Sequence, residues 1–169
     1  MSLMNTYTLA NGVKIPVLGF GTWQTPAGKT ATDSVLAALD AGFTHIDTAE
    51  MYGNEKSIGQ AVKASGIARN DLFITSKLDN QAHTYELATQ ALDRSLSDLE
   101  TDYLDLFLIH WPNPKAFRDQ DWKKHLQETW RALEDAYKAG KVRAIGVSNF
   151  KPKHLEILAE TQTFQPMVD

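Results

Sequence analysis

The sequence contains no cysteine among its 169 residues. This excludes a disulfide framework, a thiol nucleophile and a zinc site built on cysteine ligands. Glycine and proline are also few, at 10 and 6 residues, which excludes collagen-like and low-complexity chains. The 43% of hydrophobic residues instead predicts one ordinary domain with a buried core, and we treat residues 1–169 as a single domain.

A concentrated basic charge is missing as well. The 17 Lys and Arg residues are outnumbered by 21 Asp and Glu residues, and the net charge is −4. A protein that binds nucleic acid or an anionic membrane surface usually carries a basic stripe, so we expect neither partner. No apolar run approaches the roughly 18 residues of a membrane-spanning helix. Residues 1–4 lack the segments of a signal peptide, and we expect a cytoplasmic location.

Strand-like and helix-like segments alternate along the chain. The first two strands flank Asn11-Gly12, a strong hairpin signal, so we predict a hairpin over about residues 7–15 and β/α units over about 17–169. The hairpin strands cover residues 7–9 and 13–15, and the later strands residues 17–21, 43–47, 72–76, 103–109 and 142–147. The helices cover residues 30–41, 55–65, 84–99 and 123–139, and another begins at Pro152. A sixth strand would begin within residues 166–169.

This alternation predicts an α/β fold with a parallel sheet covered by helices. Two architectures remain open, which are a doubly wound open sheet and part of a (β/α)8 TIM barrel. A complete barrel needs about 250 residues. If the barrel is correct, the sequence therefore represents a barrel truncated after about five β/α units.

Polar side chains stand where the predicted strands end. Asp47, Lys77 and His110 end three strands, Tyr52 follows Asp47 in the next loop, and Ser148-Asn149 ends the fifth parallel strand. Ligands of parallel α/β proteins gather at the carboxyl ends of the strands. We therefore expect these side chains to converge on one site.

The side-chain alternation of a strand refines this expectation. If Asp47, Lys77 and His110 face inward, then the residues on the other face should meet the helices. These outward residues are Ile46, Ile74, Ile109 and Val147. On the first parallel strand, Gly19 and Gly21 would share the inward face and leave a smooth floor for a flat ligand.

The residue types suggest proton transfer coupled to carbonyl chemistry. A phenol is a poor acid at neutral pH, but a neighbouring ammonium stabilises the phenolate and a carboxylate keeps that ammonium charged. Asp47, Lys77 and Tyr52 would thus form a tuned proton donor, and His110 could polarise a carbonyl oxygen. The set has no strong nucleophile, so carbonyl reduction fits if a cofactor supplies hydride.

Five motifs in order resemble those of the aldo-keto reductase family, in its prokaryotic NADPH-dependent form. They are LGFGTW at 18–23, GFTHIDTA at 42–49 running on to YGNE at 52–55, FITSK at 73–77, DYLDL at 102–106 running on to LIHWP at 108–112, and GKVRAIGVSNF at 140–150. Together they span nearly the whole sequence, which resembles the N-terminal portion of such a reductase.

The resemblance implies a (β/α)8 barrel that begins with a hairpin, binds NADPH or alternatively NADH, and reduces aldehydes or ketones to alcohols. It implies a catalytic tetrad with Tyr52 as general acid, consisting of Asp47, Tyr52, Lys77 and His110. The cofactor would be bound by Gly21, Thr22, Trp23, Asp47, Ser148 and Asn149. Trp23 and Trp111 would line the pocket of a small carbonyl substrate. No metal is implied, and the parent protein would be a monomer.

The sequence departs from the family in two ways. Asp79 stands two residues after the lysine, where the family often has tryptophan, and an acid there should change the substrate preference. The later residues of the family that clamp the cofactor phosphates also lie outside the sequence. We therefore expect the 169-residue chain alone to be inactive and to self-associate through exposed strand edges.

Two other interpretations remain open from the residues. In a metal-dependent hydrolase, His45, Asp47 and His110 would be the metal ligands. In a non-catalytic relative, the same barrel would only bind a cofactor. Among the remaining polar residues, we expect Asp105 to be a paired structural carboxylate, and His83, His125 and His154 to be solvated.

Overall fold

The computed structural model describes residues 5–169, and the prediction for residues 1–4 lies outside this part. Its centre is a parallel sheet of five strands in the order β3-β4-β5-β6-β7. The strands are β1 Thr6–Thr8, β2 Lys14–Pro16, β3 Phe20–Gly21, β4 His45–Asp47, β5 Phe73–Leu78, β6 Leu106–Ile109 and β7 Ile145–Val147. The helices are α1 Lys29–Asp40, α2 Glu55–Ser65, α3 Tyr85–Asp98, α4 Trp122–Lys138 and α5 Pro152–Ala159.

The first two strands form the predicted antiparallel hairpin. Gly12 has a φ of +86°, a backbone conformation that glycine adopts without a steric penalty. Leu9, Val13 and Ile15 pack against the inward face of the sheet. Their buried partners there are Phe73, Leu106, Leu108 and Ala144. The hairpin therefore covers apolar side chains on the inward face.

The outward face of the sheet packs against the helices, as the side-chain alternation predicts. Ile46, Ile74, Ile109 and Val147 are all fully buried in the main hydrophobic core. The strand register aligns Ile46 with Ile74 and Ile109 with Val147. This alignment leaves Asp47 and Lys77 on the opposite, inward face.

The strand order distinguishes the two architectures that the sequence leaves open. Each parallel strand lies beside the next one in sequence, and the order never reverses. A doubly wound sheet has a point at which the order reverses, whereas a barrel adds its strands consecutively. The described sheet therefore has the order of a barrel. The described residues include no helix that is long and apolar enough to span a bilayer.

The strand at 103–109 is shorter than predicted, because its first residues make different contacts. Leu104 forms only an isolated bridge with Val142. Asp105 is fully buried, and its carboxylate accepts a hydrogen bond from the Ile74 backbone N–H. Arg69 and Arg143 each lie 2.8 Å from this carboxylate. Asp105 is thus the paired structural carboxylate that the sequence predicts.

The expectation of solvated histidines is wrong for His83 and His154, which are both buried. The His83 ring lies 5.7 Å from the Phe117 ring, and Phe117 lies 5.4 Å from His125. The loop after β5 and the loop after β6 therefore pack together through aromatic rings. Burial, reinforced by His125, lowers the pKa of His83 to about 4, so its ring is neutral at neutral pH.

Gly59 on α2 lies very close to the backbone at the end of α3. A Cβ atom at this position would lie 2.6 Å from the backbone carbon of Leu99. We expect Gly59→Ala to destabilise the fold by about 1–3 kcal/mol, because backbone atoms must move. Urea unfolding measures this loss. The matched control is Gln60→Ala on the exposed side of α2, which should change stability by less than about 0.5 kcal/mol. Equal stabilities of the two variants would contradict this packing.

Candidate active site

The four predicted catalytic residues come together at one edge of the sheet. Asp47 ends β4, Lys77 lies near the end of β5, and His110 directly follows β6. Tyr52 lies in the short helical turn Glu50–Tyr52 that follows β4. Because the strands are parallel, their carboxyl ends share one edge, which we call the carboxyl edge.

Lys77 is held by oxygen atoms around its ammonium group. Its Nζ lies 2.5 Å from Asp47 Oδ1 and donates a second hydrogen bond of 2.9 Å to the Thr48 carbonyl oxygen. The Lys77 side chain is only 9% exposed, and its pairing with Asp47 stabilises the charged ammonium at this buried position. The same Nζ lies 5.2 Å from the centre of the Tyr52 ring. A fixed positive charge therefore stands beside the phenol.

His110 also packs against Tyr52. The two ring centres are 5.8 Å apart in an edge-to-face arrangement. Burial lowers the pKa of His110, and the nearby Lys77 charge lowers it further. The imidazole is therefore neutral at neutral pH and has one N–H to donate. The backbone oxygen of His110 accepts a 2.8 Å hydrogen bond from Asn149 Nδ2, which links the ends of β6 and β7.

Asn54 connects the segments around Tyr52, a role that the sequence alone did not indicate. It is 1% exposed, and its Oδ1 accepts a hydrogen bond from the Thr48 hydroxyl. Its Nδ2 donates to the backbone oxygens of Thr22 and Thr25, at 2.9 and 3.0 Å. The loop after β3, the end of β4 and the start of α2 are thus tied to one amide. The available sequence signal was its place in the motif YGNE, two residues after the tyrosine.

The predicted cofactor residues lie in two places at the carboxyl edge. Thr22 is fully buried, and both its backbone N–H and its hydroxyl donate to the Asp47 carbonyl oxygen. Ser148 is half-buried, and Asn149 is exposed with a φ of +61°. The two predicted pocket residues expose large aromatic surfaces, since Trp23 is 68% and Trp111 46% exposed.

Of the two inward glycines, Gly19 differs from the sequence-based expectation. A Cβ at Gly19 would lie 2.7 Å from His45 Nδ1, so this glycine makes room for a protein ring rather than for a ligand. A Cβ at Gly21 would meet nothing within 4 Å. Of the two, Gly21 therefore leaves open space, and it does so beside Asp47, with which it is in register.

The contacts of two of the three candidate metal ligands disagree with the hydrolase interpretation. His45 Nε2 lies 2.9 Å from the Thr75 hydroxyl, and Asp47 is paired with Lys77. Within residues 5–169, no three His, Asp or Glu side chains are grouped so that they could bind a metal ion. The Lys77 ammonium therefore occupies the position beside Asp47 where the hydrolase interpretation requires a metal ion.

Glu55 is a second residue whose role the sequence did not reveal. It is 3% exposed, and it accepts hydrogen bonds from the hydroxyls of Ser76 and Ser95, at 2.5 and 3.0 Å. Ser76 directly precedes Lys77 on β5. Burial raises the pKa of Glu55 to about 7 despite these two bonds.

The raised pKa of Glu55 predicts a pH-dependent stability. The folded state binds this proton more tightly than the unfolded state does, so the contribution is fully present below about pH 4.5 and is lost as pH rises to about 7. We expect Glu55→Gln to remove this loss. Relative to the wild type, the variant should gain about 2–3 kcal/mol of unfolding free energy between pH 5 and pH 8.

Urea unfolding at the two pH values measures this gain. Glu86→Gln is the control, because Glu86 is exposed in the first turn of α3 and should show no such change. A pH dependence that Glu55→Gln leaves unaltered would show that Glu55 is ionised equally in the folded and unfolded states.

A parallel sheet with consecutive strands and a polar site at its carboxyl edge defines a barrel-type α/β protein. The sequence model of the Aldo/keto reductase family matches residues 17–168. The chain is 48% identical over 168 residues to the glyoxal reductase of Bacillus subtilis (strain 168), with 99% of this chain and 58% of the relative covered. The chain therefore belongs to the aldo/keto reductase family, whose fold is a (β/α)8 barrel.

Solved structures agree with this assignment. The crystal structure of an aldo/keto reductase from Brucella melitensis matches with a TM-score of 0.89 and 44% identity, covering 98% of this chain and 62% of that one. The aldo-keto reductase of Bombyx mori, solved in complex with NADP, matches with a TM-score of 0.86 and 32% identity. That match covers 100% of this chain and 59% of the silkworm chain. The chain thus spans less than two thirds of the length of these relatives.

Proposed function

We propose that the full-length natural protein reduces aldehydes or ketones to alcohols with hydride from NADPH or, alternatively, NADH. The observation that carries this proposal is the packing of Tyr52 close to both the Lys77 ammonium and the His110 ring. A phenol beside a fixed cation is suited to donate a proton to a developing alkoxide. The names of the relatives, which include a glyoxal reductase and a reductase in complex with NADP, support the same reaction class.

Each of the four residues has a distinct role in the proposed reaction. Tyr52 donates its hydroxyl proton to the carbonyl oxygen as that oxygen gains negative charge. Lys77 stabilises the phenolate that remains, and Asp47 holds the Lys77 ammonium in place. His110, neutral because of its lowered pKa, donates its N–H to the same oxygen and orients the substrate.

The chemistry and space at the carboxyl edge fit the nicotinamide part of the cofactor. A bound nicotinamide would supply the hydride that none of the side chains can provide. Gly21 leaves room beside Asp47, and we propose Gly21, Thr22 and Trp23 as its neighbours on this side. Ser148 and Asn149 offer polar groups at the end of β7 for its carboxamide. Trp23 and Trp111 would form apolar walls for the substrate.

Steady-state turnover tests the proposal. We expect the full-length protein to oxidise NADPH when glyoxal, methylglyoxal or benzaldehyde is added, and the loss of NADPH absorbance measures this oxidation. Without a carbonyl compound the absorbance should stay constant. Parallel assays with NADH measure the cofactor preference. A folded protein that binds the cofactor but turns over none of these carbonyl compounds would contradict the proposed function.

A further inference from the structure

We propose that Asp79 makes the substrate pocket select against anionic carbonyl compounds and in favour of cationic ones. This inference rests on the proposed function, and it adds the charge class of the substrate. Asp79 follows β5 directly and stands two residues after Lys77. Its place directly after the strand puts it at the carboxyl edge, beside the end of the strand that carries Lys77.

The loop structure fixes Asp79 at the carboxyl edge. Its Oδ1 accepts a 2.7 Å hydrogen bond from the Gln81 backbone N–H. This bond from a side chain to the backbone two residues later closes a short turn. Its own backbone N–H donates to Glu50 at 3.3 Å. Glu50 in turn pairs with Arg94. Asp79 is thus linked to three segments, which are the turn after β4, the loop after β5 and helix α3.

The charges around the pocket single out Asp79. The Asp47 carboxylate is neutralised by Lys77, and the Glu50 carboxylate is neutralised by Arg94. Among residues 5–169, Asp79 has hydrogen bonds but no ion-pair partner. It therefore contributes an uncompensated negative charge to this edge of the sheet.

The Asp79 charge reaches the position where a carbonyl group would be reduced. Burial and then Lys77 lower the pKa of His110, while the charges of Asp47 and Asp79 act in the opposite direction. Asp79 also lies beside the helical turn that carries Tyr52, because its backbone N–H donates to Glu50 in that turn. At an effective dielectric of about 20, a unit charge about 10 Å away changes the affinity for a charged ligand by roughly tenfold.

Three benzaldehydes with different charges test the proposal. They are 4-carboxybenzaldehyde, benzaldehyde and 4-(trimethylammonio)benzaldehyde, each assayed with the wild type and with Asp79→Asn. The Asn side chain keeps the oxygen that accepts from Gln81, so the turn is preserved. We expect the variant to raise kcat/KM for the anion, relative to that for the cation, by at least about tenfold. Comparing the two proteins cancels the intrinsic reactivities of the aldehydes.

Asp40→Asn is the matched control, because it removes the same charge at the opposite end of the fold. Asp40 is exposed at the end of α1, just before the chain enters β4. For this variant, the ratio of kcat/KM for the anionic aldehyde to that for the cationic one should stay within about twofold of the wild-type ratio. The effect of Asp79→Asn should also shrink in concentrated salt, because charges that solvent reaches are screened.

Binding of the product alcohols separates this proposal from the proposed function. Calorimetry with 4-(hydroxymethyl)benzoate and its trimethylammonio counterpart measures the charge preference without turnover. The protein could prefer the cationic alcohol, lose this preference in Asp79→Asn, and yet reduce no aldehyde. That result would support the role of Asp79 and contradict the proposed reaction. The proposal would be overturned if Asp79→Asn changed two ratios by less than about twofold. These are the ratio of kcat/KM for the anionic aldehyde to that for the cationic one, and the ratio of the affinities for the two alcohols.

Discussion

Tyr52→Phe lowers kcat for carbonyl reduction by about 10²–10⁴-fold, if Tyr52 is the general acid. The phenylalanine ring still packs against Lys77 and His110, so the change removes only the hydroxyl. Steady-state kinetics with NADPH and benzaldehyde measure the loss. Because the hydroxyl acts on the transition state, kcat should fall far more than the affinity for the cofactor.

Tyr103→Phe is the control for this prediction. Tyr103 also loses one hydroxyl, but its ring stacks under Arg69, with 4.1 Å between the guanidinium carbon and the ring centre. We expect this variant to retain the kcat of the wild type. A Tyr52→Phe protein with more than a tenth of the wild-type kcat would rule out Tyr52 as the main proton donor.

Asp105→Ala should lower the free energy of unfolding by about 3–5 kcal/mol, a large fraction of the stability of an ordinary domain. The carboxylate is fully buried between Arg69 and Arg143, and it also satisfies the Ile74 N–H. Removing it leaves a buried backbone donor and two cations without their partner. Urea unfolding at neutral pH measures the effect.

Two further variants keep this prediction testable if Asp105→Ala does not fold. Asp105→Asn retains an oxygen for the Ile74 N–H and should lose less, about 1.5–3 kcal/mol. Asp93→Ala removes an exposed carboxylate that pairs with Lys141, and it should cost less than about 1 kcal/mol. If Asp105→Asn is no less stable than Asp93→Ala, the buried pairs contribute nothing measurable.

Much of the fold could be predicted because hydrophobic periodicity dominates it. The helix Glu55–Ser65 has the predicted bounds, and the outward isoleucines of β4, β5 and β6 are buried as their alternation implies. The Asn-Gly hairpin follows from local backbone preferences alone. These features depend on neighbouring residues in the sequence, which a single sequence shows directly.

Features that depend on distant contacts could not be predicted. His83 is buried only because the loops after β5 and β6 pack together around Phe117. Gly19 is required by the His45 ring of the next strand, which the sequence does not place beside it. Asn54 and Glu55 stood within a recognised motif, but their roles depend on Thr22, Thr25 and Ser95 in other segments.

The convergence of the candidate site was predictable, whereas its charge balance was not. Asp47, Lys77 and His110 end neighbouring strands, so a parallel sheet brings them together. The sequence alone did not indicate which substrate charge Asp79 would favour. That inference depends on two ion pairs, in which Lys77 neutralises Asp47 and Arg94 neutralises Glu50. These pairings cross several segments and leave no local pattern in the sequence.

Hydride transfer from labelled cofactor tests the central claim most directly. The full-length protein is incubated with benzaldehyde and NADPH that carries deuterium in both positions at nicotinamide C4, and the benzyl alcohol is analysed by mass spectrometry and NMR. The account predicts one deuterium on the alcohol carbon of every product molecule, and a strongly reduced yield with Tyr52→Phe. Benzyl alcohol without deuterium, or an equal yield from both proteins, would contradict it.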